Sequence, residues 1–121
     1  MGTVEVLQGF FKCGASAALV VADNGMILGE EYKDADDADL SLNGLPEAVA
    51  KALAVVTEAY EGFGKGALER QQVHFGNYQL HIESLNGRRN LVLVLGAKAN
   101  LGRIRLEIRK SKAVLENEID L

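Results

Sequence analysis

In "SAALVVADNGMILGEEY", Asn24-Gly25 stands between two apolar runs, and it constrains the fold more than any other feature of the chain. Asn and Gly both tolerate positive φ, which the two central residues of a type I′ turn require. The runs 17–22 and 26–31 are therefore expected to pair as antiparallel strands. Reversals of the same kind follow later. "ALERQQVHF" turns at Gly76-Asn77 into "YQLHIESL", which turns at Asn86-Gly87 into "RRNLVLVLGA". In the middle one of these runs Tyr78, Leu80 and Ile82 alternate with Gln79, His81 and Glu83, so one face is expected to be buried and one wet. Leu91 to Leu95 is apolar throughout, as in a central strand covered on both faces.

Helical periodicity fills the rest. "PEAVAKALAVVTEAYEGFG" opens at Pro46, a residue favoured in the first turn of a helix. On a 3.6-residue wheel Val49, Leu53, Val56, Tyr60 and Phe63 form a bulky stripe. Ala48, Ala52, Val55 and Ala59 form a second stripe of small residues beside it, and Glu47, Lys51, Thr57, Glu58 and Glu61 complete the circle. At the start, "TVEVLQGFFKC" has helical spacing at Val4, Leu7, Phe10 and Phe11. At the end, Asn100 is a good N-cap for a helix with Leu101, Ile104, Ile108, Leu115 and Ile119 on one face. Its "IRLEI" also alternates as a strand would, but the run is long and has no breaker after Gly102. The order is αββαβββα, an α+β domain with an antiparallel sheet and helices on its faces.

At 121 residues the chain is expected to be one domain, 1–121. Its net charge of -4 gives no reason to expect nucleic acid or an anionic membrane as partner. No apolar run approaches the ~20 residues that span a bilayer. A single cysteine, Cys13, forms no internal disulfide, and the first basic residue is Lys12, unlike a signal peptide. These features point to a cytoplasmic protein.

Several stretches invite a ligand. "EGFGKGALER" has glycines at 62, 64 and 66 around Lys65, like a phosphate loop. A phosphate loop needs strand, glycines, then helix, and here the glycines follow a helix and precede a strand. A helix C-cap is the better reading, and no nucleotide binding is expected. Asp39, Ser41, Asn43 and Gly44 match half of a calcium loop, but its twelfth position is Ala50 rather than glutamate. His74, His81 and Cys13 lack the spacing of a metal site. No nucleophile or carboxylate pair stands in a catalytic spacing with a histidine, so neither enzyme activity nor a cofactor is expected. Between 98 and 112, Lys98, Arg103, Arg105, Arg109, Lys110 and Lys112 face one acidic residue, Glu107. That run is either a patch for an acidic partner or the charged outer face of a terminal helix.

"GASAALVVADNGMIL", the helix opening "LPEAVAKAL", and above all "LVLVLGAKANLGRIRLEIRK" resemble the roadblock/dynein-light-chain family over about residues 5–117. The first helix is shorter than the family's. The resemblance implies a five-stranded antiparallel sheet with the central helix on one face and the terminal helices on the other. It also implies a homodimer or heterodimer, in which central helices pair and third strands join edge to edge. Ala48, Ala52, Val55 and Ala59, with Glu69, Gln71 and Val73, would then form the dimer interface. Members are scaffolds and regulators of small Ras-like GTPases, among them bacterial gliding-motility regulators, or attach to dynein.

The residues agree independently with a partner. One sheet face can use only one of the two stripes, and "ALERQQVHF", polar on both faces, suits an edge strand. The first expectation is thus a non-enzymatic dimeric regulator or scaffold of a small Ras-like GTPase, with Lys51, Glu58 and Glu61 on the partner-binding rim. The alternatives are a motor adaptor or structural scaffold without a GTPase, and a small-ligand sensor, which a cavity between helix and sheet would favour.

Overall fold

A computed structural model describes residues 3–34, 44–62, 64, 69–85, 88–96 and 99–118. Helix α1 (Thr3–Gly9) tightens into a 3-10 turn over Phe10–Cys13. Strands β1 (Ala15–Ala22) and β2 (Ile27–Tyr32), helix α2 (Leu45–Glu61), strands β3 (Arg70–Phe75), β4 (Tyr78–Leu85) and β5 (Arg89–Leu95), and helix α3 (Leu101–Glu118) follow. All neighbouring strands are antiparallel, in the order β2-β1-β5-β4-β3. The expected element order and the α+β class are both met.

The first turn is not type I′. Among the described residues Arg88 alone takes positive φ without being glycine, so Asn24 does not. Gly25 carries the positive φ, 94°, and its N–H donates to the Ala22 carbonyl at 2.9 Å. Asn24 acts instead through its side chain, whose Oδ1 accepts the Met26 N–H at 3.0 Å. Gly76, at φ 55°, is the first residue of a two-residue connection, since Phe75 pairs with Tyr78. That is the pattern of a type II′ turn. Asn86-Gly87 lies outside the described residues, as do Asp39 to Asn43, Lys65 and Gly66.

The centre of the sheet, β1 and β5, is buried on both faces. Ala17, Leu19 and Val21 of β1 and Val92 and Val94 of β5 pack under Val49, Ala50 and Leu53 of α2. Ala18, Val20, Leu91, Leu93 and Leu95 pack on the other face with Leu7, Phe10, Ile104, Ile108 and Leu115. Leu91 to Leu95 is a central strand, as its unbroken apolar run predicts. The α2 wheel needs correction: Thr57 is buried and Tyr60 is 46% exposed. The buried side of the helix runs through Val49, Ala50, Leu53 and Thr57. In α1, Val6 is buried and Val4 is 51% exposed, so the inward face runs through Val6, Leu7 and Phe10 rather than through Val4.

Both expected helix ends are built as chemistry requires. The Asn100 Oδ1 accepts the Arg103 N–H at 3.1 Å, so "IRLEI" is helix. After α2, Gly62 keeps right-handed φ (-63°), and Gly64 takes the left-handed value of 64° with its N–H on the Glu61 carbonyl at 3.1 Å. The glycines thus stop a helix.

The wet face expected for β4 is covered. His81 and Glu83 are buried because α3 lies over that side. Arg70 donates from Nε (2.9 Å) and Nη2 (3.3 Å) to the Glu83 carboxylate. The amide nitrogen of Gln72 lies 3.2 Å from His81 Nδ1, which must accept. His81 Nε2 therefore carries the proton and donates to Glu83 Oε1 at 3.2 Å. Burial pushes the His81 pKa below its ordinary value, outweighing the pull of Glu83. Burial pushes the Glu83 pKa up, but the hydrogen bonds from Arg70 and His81 outweigh it and hold the carboxyl below its ordinary value.

Two outcomes are expected. Asn100→Ala should lower stability by ~1 kcal/mol in urea unfolding, with the fold retained by circular dichroism. Both shifted groups bind protons more weakly in the folded chain, so both stabilise at neutral pH and lose that contribution on acidification. The urea midpoint should fall as pH drops below the ordinary histidine value of 6.5, and again below the ordinary carboxylate value of 4.5. His81→Gln should abolish the upper step alone; an unchanged upper step would place it on another group.

Candidate interaction surface

The amphipathic wheel of α2 leaves one side of the helix without a sheet to cover. Ala48, Ala52, Val55 and Ala59 are all exposed on it, Val55 by 62%. They recur at intervals of three and four, so they form one stripe opposite the buried Leu53 and Thr57. Small side chains along such a stripe leave the backbone accessible to a second helix at close range. Lys51 and Glu58 are exposed beside it.

Strand β3 is an edge, paired on one side with β4. Opposed residues of an antiparallel pair share a face. Gln71 stands opposite Ile82 and Val73 opposite Leu80, and both of those pack with the α2 layer. Gln71 and Val73 therefore lie on the same face of the sheet as α2. Val73 is 37% exposed and Gln71 is half-buried. Glu69 precedes the strand and is exposed, while its carbonyl accepts the Ser84 N–H at 2.8 Å and continues the ladder. The structure thus brings the α2 stripe and the open β3 edge to one side of the molecule.

Glu61 behaves differently from Lys51 and Glu58. Its carboxylate accepts from Arg88 Nη2 at 3.1 Å, while Arg88 Nε reaches Asp23 Oδ2 at 3.3 Å. Arg88 so ties the β1–β2 turn to the end of α2. Asn90, buried beneath, donates from Nδ2 to Asp23 Oδ1 at 2.7 Å and to the Val21 carbonyl at 3.3 Å. Around this tie a cleft of about 530 Å³ opens between α2 and the end of the sheet, walled by Ala54, Thr57, Glu58 and Asn24. Sequence reasoning missed it, because Asp23 and Arg88 are 65 residues apart and no local spacing joins them.

The remaining candidates do not converge. Cys13 is a buried free thiol whose pKa is raised, first by burial. Among the described residues no three His, Cys, Asp or Glu side chains group as metal ligands, and no helix is long and apolar enough to cross a membrane.

No protein-family model and no curated protein sequence matches the chain; the likeness lies in structure. MglB of Myxococcus xanthus superposes with a TM-score of 0.77 at 19% identity, over 97% of this chain and 86% of that one. A roadblock/LC7 domain from Streptomyces avermitilis gives 0.77 at 14% identity, over the whole of both chains. MglC of Myxococcus xanthus gives 0.68 at 25% identity, over 98% and 99%. One MglB structure among the matches holds a tetrameric arrangement. The resemblance in "LVLVLGAKANLGRIRLEIRK" thus extends to three dimensions, and the chain has the fold of the roadblock/LC7 domain proteins.

Proposed function

We propose that the protein is a non-enzymatic regulator or scaffold that self-associates through α2 and the β3 edge and binds a small Ras-like GTPase. The observation that carries this is the uncovered stripe Ala48, Ala52, Val55 and Ala59 beside an open strand edge on the same face. Burying a side chain the size of Val55 contributes ~1.5–3 kcal/mol, and a second copy offers an identical stripe for it. The tetrameric arrangement of a matched MglB supports assembly on this fold. The GTPase enters from the family resemblance, and the exposed charges Lys51 and Glu58 would form the rim that steers it. Glu61, already engaged by Arg88, would contribute less.

The cleft beside Arg88 supports a second reading, a small-ligand sensor, because it opens between helix and sheet. Asp23, Glu61 and Arg88 line it, and Arg88 is ion-paired with both carboxylates, so a ligand would have to compete with those pairs.

Ala52→Glu would set a charge against the partner helix without a pairing group, and light scattering should then report monomer or aggregate. A well-behaved dimer from this variant would place the interface elsewhere.

Surface capture of a small Ras-like GTPase in its GDP and GTP-analogue forms tests the second half. A regulator must prefer one form, since a partner shifts a two-state switch only by differential affinity. Lys51→Glu with Glu58→Lys should slow association while leaving the dimer intact. Equal affinity for both forms would leave a scaffold, and absence of binding would favour an adaptor without a GTPase.

A further inference from the structure

The basic run of α3 is not spread evenly around the helix. Arg105, Arg109 and Lys112 follow at intervals of four and three, on the side that meets β4. With Arg70 from the sheet edge they line a groove of about 280 Å³, floored by Ile108 and Glu83. This groove is on the terminal-helix face of the sheet, away from the α2 stripe. Arg103 and Lys110, by contrast, are exposed on the side of α3 near Cys13.

Among the described residues one carboxylate lines the groove with these four cations, and it is already engaged; Glu69, exposed and close enough to act on Arg70, is outside the lining. Glu83, with its side chain 6% exposed, accepts from Arg70 and His81, and Lys112 Nζ lies 4.0 Å away. Arg70 meets it through Nε and Nη2, which leaves both N–H groups of Nη1 without a partner among the described residues. No acidic side chain among the described residues pairs with Arg105 or Arg109 either. Glu83 therefore holds Arg70 in place without neutralising the groove. A guanidinium that is fixed and still has free donors loses little entropy on meeting a second carboxylate.

We propose that this groove docks an acidic peptide segment of a partner protein. The cations extend over about 10 Å of helix, from Arg105 to Lys112, farther than one phosphate or one carboxylate can touch. Carboxylates three or four residues apart on a peptide helix match that spacing, and Ile108 offers an apolar floor for their methylene stems. The net charge of -4 disfavours an extended polyanion, which would meet the rest of the surface as well. A short segment feels mainly the groove, because screening confines exposed charges to ~8 Å at physiological salt. The proposal needs neither a GTPase nor the α2 interface.

Fluorescence anisotropy of a labelled oligoglutamate peptide with the full chain tests it. Arg105→Glu with Arg109→Glu should weaken binding about tenfold or more. Arg103→Glu with Lys110→Glu imposes the same change in net charge outside the groove and should leave binding within about twofold. If the reversal disturbs folding by circular dichroism, Arg105→Gln with Arg109→Gln should give a smaller loss in the same order. Absence of peptide binding, or equal loss in both pairs of variants, would overturn the assignment. Displacement of the peptide by equimolar inorganic phosphate would overturn it too, by making the groove a site for a lone anion. Light scattering on the same variants reads the assembly state separately, so a failure here leaves the α2 proposal untouched.

Discussion

The antiparallel pairing of β1 with β5 is the constraint from which the rest of the molecule follows. Both strands are covered on both faces, and their register sets Leu19 opposite Val92 and Ala18 opposite Leu93. The first pair belongs to the α2 layer and the second to the terminal-helix layer. A slip of one residue would exchange every one of these side chains between layers. The pairing also decides where the edges fall. With β1 and β5 in the middle, β2 and β3 are left outside, and α1 packs against β2.

That arrangement places two surfaces of different chemistry on opposite sides of the sheet. On the α2 side the uncovered groups are small or apolar, and they gain by excluding water. On the α3 side they are cationic, around one buried and satisfied carboxylate, and they gain by meeting charge. A buried carboxylate is costly unless it is hydrogen-bonded, and Glu83 is held by Arg70 and His81. The same contacts orient Arg70 at the mouth of the groove. The polar network is thus both a structural requirement of covering β4 with a helix and the reason the groove has a defined shape.

The chain tolerates local departures from the simplest turn chemistry because long-range packing outweighs them. Asn24 stands in a turn that uses its side chain rather than a left-handed backbone, and Asn90 pins that turn from β5. Arg88 holds a left-handed conformation (φ 61°), uncommon for a residue with a long side chain, and it is bound at both Asp23 and Glu61. Three segments distant in the chain, 23, 61 and 88, are tied there by the ion pairs of Arg88 and by the Asp23 N–H, which donates to the Arg88 carbonyl at 2.9 Å.

Local periodicity determined much of this protein. The Asn/Gly reversals, the unbroken apolar run at Leu91 to Leu95, the Asn100 cap and the helical spacing of 46–61 dictate the strands, the helices and the antiparallel sheet. The small-residue stripe on α2 was legible for the same reason, since a wheel shows which positions share a side. Tertiary structure alone decided which arc of that wheel faces the strands, and so buried Thr57 and exposed Tyr60. It alone turned the polar side of β4 inward, because nothing in an alternating pattern tells whether a helix from elsewhere will cover it. The cleft at Arg88 and the split of the basic run into a groove at Arg105, Arg109 and Lys112 and an outer side at Arg103 and Lys110 are of the same kind. Periodicity is a property of neighbours along the chain, whereas burial and ion pairing are set by residues that only folding brings within a few ångströms.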